Sequence, residues 1–92
     1  DTLIWHTTDP EVFLYLGLAY SFQKEVELAR KSFEKAINLD PKYSLAYYYL
    51  GVHYLKRHSG KAQEYLRKFI NLETDEGNEK LIQNAERLLK KL

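Results

Sequence analysis

Residues 13–20 read Phe13-Leu14-Tyr15-Leu16-Gly17-Leu18-Ala19-Tyr20, and residues 47–54 read Tyr47-Tyr48-Tyr49-Leu50-Gly51-Val52-His53-Tyr54. Both fit aromatic-x-x-Leu-Gly-x-x-Tyr, with a shift of 34 residues from Gly17 to Gly51. Downstream the echo continues. Ala29-x-x-x-Phe33 and then Pro41 follow the first copy; Ala62-x-x-x-Leu66 follows the second, with Thr74 where the proline would fall. The second copy is one residue shorter between its Gly and its Ala. A glycine inside a helix costs about 1 kcal/mol relative to alanine, so each must be compensated, and close helix approach is the natural compensation. Ala29 and Ala62 are the expected partners, with the aromatic and leucine positions filling the wedge around them.

Working outward from these stretches, apolar spacing and end signals give five helices. Asp9-Pro10-Glu11 combines an N-cap, a first-turn proline and a carboxylate at the positive helix end, opening a helix that runs to about Phe22. Gln23-Lys24 is weak turn chemistry. A second helix, Glu25 to Asn38, is read from Val26, Ala29, Phe33, Ala36 and Ile37 on one stripe, and Asp40-Pro41 stops it. Ser44 is expected to cap a third helix ending near Arg57. Ser59-Gly60 then reads as a turn before a fourth helix from Lys61 to about Leu72. Thr74 to Asn78 is a polar connector, and Leu81, Ile82, Ala85, Leu88, Leu89 and Leu92 make the broad apolar face of a fifth. The expected class is all-α, built of antiparallel helix-turn-helix units.

The repeated residues resemble the tetratricopeptide repeat, whose period and Trp-x-x-Leu-Gly-x-x-Tyr, Ala-x-x-x-Phe, Pro pattern they follow from Pro10 to about Glu76. Residues 1–9 are then an N-terminal extension, 10–43 a first repeat, 44–76 a second repeat one residue short, and 77–92 a capping helix, all in one structural domain. Leu81, Ala85 and Leu88 carry the pattern weakly into the last segment, where Asn84 breaks it. That segment presents Glu79, Gln83, Glu86 and Lys90 as a solvated edge, as the end of an α-solenoid requires.

A second pattern lies on the opposite side of the same helices. Phe13, Leu16, Gly17 and Tyr20 share the packing face of the first helix, whereas Leu14, Tyr15, Leu18 and Phe22 face away. In the third helix Leu45, Tyr48, Tyr49 and Val52 face away, with Lys56 the polar exception. A helix apolar on two opposed faces needs a cover for both. The resemblance implies that the first helix of each repeat lines a concave groove, so the expected partner is another protein or peptide segment, apolar or aromatic. Tyrosine suits such a floor, giving area at small entropic cost. Two other covers compete: a second copy of the chain in a homodimer, and Leu3, Ile4 and Trp5 folding back. One subgroup of the family grips the C-terminal carboxylate of chaperone tails with Lys, Asn and Arg; Leu14, Leu18, Leu45 and Tyr49 stand at the aligned positions, which argues against that ligand.

Other classes of function find little support. The chain is 45% hydrophobic and 29% charged, a globular composition. Seven acids face five bases up to Tyr43 and six face nine after it, a mild asymmetry without the concentrated basic face of a nucleic-acid binder. With no cysteine, disulfides and thiolate zinc sites are excluded, and the compartment stays open. No apolar run reaches the roughly 18 residues of a membrane span. No nucleophile–base pair, paired carboxylates or phosphate-cradling glycine loop marks an enzyme or a cofactor site. His53 and His58, five apart, fall on different helix faces and are expected to be structural. The chain begins at Asp1 rather than Met, so it is expected to be an excised or processed piece, with any signal or anchor outside it.

Overall fold

The computed structural model describes residues 7–73 and 78–92. Among them run five α-helices and no strand: α1 (Pro10–Phe22), α2 (Val26–Leu39), α3 (Ser44–Tyr54), α4 (Ser59–Leu72) and α5 (Glu79–Lys90). The all-α expectation holds. The chain divides into two compact units between Tyr43 and Ser44. In the first, α1 and α2 pack as a hairpin; in the second, α3 and α4 form another hairpin and α5 packs on α4.

In the first unit the Asp9 carboxylate accepts from the Glu11 amide at 3.0 Å, with Pro10 opening the helix. The weak turn after α1 is a strained one. Lys24 sits at φ 65°, the left-handed region, while the Lys24 amide donates to Ser21 O at 3.0 Å and the Glu25 amide to Tyr20 O at 2.8 Å. These two bonds make a Schellman C-cap, in which lysine occupies the place usually given to glycine. After α2 the Asp40 carboxylate accepts from the Lys42 amide at 3.1 Å, and the Tyr43 amide closes onto Asp40 O at 3.0 Å across Pro41.

Both helical glycines sit at close approaches. A Cβ on Gly17 would lie 2.6 Å from the Phe33 ring, and one on Gly51 would lie 2.7 Å from the Leu66 side chain and 3.3 Å from its backbone nitrogen. The large residue one turn beyond each alanine therefore presses on the glycine most closely, whereas the alanines were the expected partners. Ala29 and Ala62 are buried completely beside them. Phe13, Phe33, Leu50, Leu66 and Phe69 complete the two cores.

Three boundaries in the second unit differ from expectation. The third helix ends at Tyr54, not near Arg57, and the chain turns as the His58 amide reaches back to Tyr54 O at 2.8 Å. Ser59-Gly60 lies within the first turn of α4 rather than forming a turn ahead of it, because His58 acts as its cap: Nδ1 accepts from the Lys61 amide at 3.2 Å. Ser44 opens α3, yet its hydroxyl donates to Glu73 Oε2 at 2.8 Å, where the Asn78 side-chain Nδ2 also donates at 2.9 Å. One carboxylate oxygen thus joins the start of α3, the end of α4 and the approach to α5.

Candidate protein-binding site

The two faces expected to bind a partner belong one to each unit. On α1, Leu14 is 2% exposed and belongs to the buried set. Tyr15 and Phe22 are 59% and 92% exposed, and Leu18 is half-buried. Val12 and Ala19, which the two-sided reading of the helix passed over, are also exposed. Val12, Tyr15, Ala19 and Phe22 step by three, four and three residues, so they form one stripe. The regular spacing was the signal for Val12 and Ala19, but the repeat pattern drew attention to the opposite side.

The N-terminal end of that stripe is acidic. Tyr15 donates its hydroxyl to Glu11 Oε1 at 3.2 Å, which fixes the ring along the helix. Burial pushes the Tyr43 hydroxyl up to about 12, with the nearby Glu11, Tyr15, Asp9 and Asp40 adding to the shift. No basic residue lies within α1. The stripe therefore offers apolar surface along its length and carboxylates at one end.

On α3, Tyr48 is 5% exposed and is a core residue. Its ring packs 5.1 Å from Phe69, and its hydroxyl accepts from Asn84 Nδ2 of α5. Asn84 in turn accepts from Arg87. The residue that interrupts the repeat pattern thus anchors α5 through a polar chain. Leu45 and Tyr49 are half-buried and Val52 is exposed. Tyr49 meets Tyr48 edge to face at 5.1 Å. Lys56 is exposed but follows the end of α3, so it is not on the helical stripe. Leu3, Ile4 and Trp5, the expected competing cover, lie outside the described residues.

The histidines have local roles. His58 caps α4, and His53 is buried with its ring edge to face with Tyr54 at 5.2 Å. The family model of the tetratricopeptide repeat matches residues 10–43, which span α1, α2 and the turn at Asp40–Tyr43. Over this segment the chain is similar to a tetratricopeptide repeat. The second hairpin sets Gly51 against Leu66 as the first sets Gly17 against Phe33, consistent with the same repeat. Tetratricopeptide repeats generally serve as protein–protein interaction modules. No curated protein matches the chain. No described helix is long and apolar enough to cross a membrane.

Proposed function

We propose that this protein binds an apolar or aromatic segment of another protein on the exposed stripe of α1, with Leu45, Tyr49 and Val52 of α3 as a second contact surface. The observation that carries the reading is the exposure of Tyr15 and Phe22 beside Val12 and Leu18 on one helix. Burying one large side chain is worth about 1.5–3 kcal/mol, so leaving several in water along a single line is costly unless something covers them. The carboxylates of Asp9 and Glu11 favour a partner segment with a base at one end. Leu14 and Tyr48, being buried, support this surface through the fold rather than by touching the partner. The protein acts by binding and not by catalysis.

The stripe can also be covered by a second copy of the chain, and one experiment separates the two. Light scattering across a concentration series should show a constant mass for the wild type, while peptide-library selection returns amphipathic sequences. Tyr15→Ser with Phe22→Ser should weaken capture of those sequences by about tenfold or more. A mass that doubles with concentration and is restored to monomer by the same pair would replace partner binding with self-association.

A further inference from the structure

α4 carries a surface unlike either of these faces. Its helix holds Lys61, Arg67 and Lys68 against a single acid, Glu64. A cleft of about 440 Å³ runs along it, lined by Gly60, Gln63, Glu64, Tyr65, Arg67, Lys68 and Asn71, with Tyr47 of α3 at its side. Three tyrosines form a column next to it: Tyr47 and Tyr65 lie 6.2 Å apart, and Tyr65 stacks on Tyr54 at 5.8 Å and 8°. Two ammonium groups rest over this column, Lys61 at 5.3 Å from the Tyr54 ring centre and Lys68 at 6.0 Å from that of Tyr47.

We infer that this face of α4 binds an acidic peptide segment. A ring face attracts a cation and restrains it but supplies no counter-charge, and no ion pair engages Lys61, Arg67 or Lys68 among the described residues. Two ammonium groups are thus partly ordered, and with Arg67 they make three cations without an ion pair among the described residues along one helix. Restraint lowers the entropy lost when a carboxylate arrives, and Arg67 can meet that carboxylate with two parallel hydrogen bonds. Gln63 and Asn71 each offer a donor and an acceptor, which suits the amides of a peptide backbone. From Gly60 to Asn71 a helix advances about 16 Å, the length of roughly five extended residues. Glu64 in the middle of the cations disfavours a continuous phosphate backbone and leaves room for carboxylates spaced on either side of it. The inference is independent of the α1 stripe, since it uses other residues on another unit.

The test is fluorescence anisotropy with the whole chain and a labelled short oligoglutamate peptide, compared with an oligolysine peptide and a single-stranded oligonucleotide of equal charge. Saturable oligoglutamate binding is expected, weakened about tenfold by Arg67→Glu with Lys68→Glu and weakened by added salt. The amide resonances of Gly60, Gln63 and Asn71 should move on titration. Lys31→Glu with Lys42→Glu changes the net charge equally and should leave the affinity nearly unchanged. All four lysine and arginine positions are exposed, so circular dichroism should show intact helices in both variants. Binding lost equally in both pairs, resonance shifts confined to other helices, absence of saturable binding, or tighter capture of the oligonucleotide would each overturn the assignment.

Discussion

At Lys24 a side chain occupies backbone space that suits glycine. Its φ of 65° costs an L-residue about 1–2 kcal/mol, and the two capping bonds around it hold the residue there. Lys24→Gly is therefore expected to stabilise the protein by about 1 kcal/mol, net of the greater freedom glycine gives the unfolded chain; urea melts check this, and a loss would mean that the lysine side chain matters more than the strain. Tyr43 sets a pH limit. Its hydroxyl is raised from 10.0 to about 12, so the folded state holds that proton more tightly than the unfolded chain does. The contribution is intact below pH 10, shrinks as pH rises, and is gone above pH 12. Melts at stepped alkaline pH should show a shallower decline for Tyr43→Phe than for the wild type. Single residues were the least legible level. His58 is not among the usual capping residues, so Ser59-Gly60 looked like a turn, and nothing in Gln23-Lys24 announces a left-handed lysine.

The helices themselves were more legible, because their pairing follows from two glycines. Gly17→Ala and Gly51→Ala each gain about 1 kcal/mol of helix propensity, yet the new methyl would overlap the fully buried Phe33 ring or Leu66. Overpacking of this kind costs about 1–3 kcal/mol, so both should be net destabilising. Gly51→Ala should be the worse, since the backbone nitrogen of Leu66 also stands at 3.3 Å and cannot rotate away. Chemical denaturation of the two variants ranks them. The division of α1 and α3 into two opposed faces was only half legible. Tyr48 looked outward by angle, but a helix neighboured by two others has a third direction, and Tyr48 fills it between Phe69 and Asn84. Tyr48→Phe should keep the ring packing and lose about 1 kcal/mol with the hydroxyl.

For the whole molecule, the all-α class was legible in the 34-residue repeat period. The division between Tyr43 and Ser44 falls at the turn that Asp40-Pro41 begins. The exposed stripe on α1 was partly visible, through Tyr15, Leu18 and Phe22, because the period of a helix can be read from one chain alone. The α4 cleft was not visible, since it depends on Tyr47 and Tyr65 meeting across two helices. One further consequence lies in α5. Ala85 is its only fully buried residue, it packs chiefly on α4, and Asn84 ties it to α3 through the Tyr48 hydroxyl. Backbone deuterium uptake should therefore begin there, with α5 amides opening at a lower free energy than those of α3 and α4. Tyr48→Phe should widen that gap, making the last helix a latch that the rest of its unit can release without unfolding.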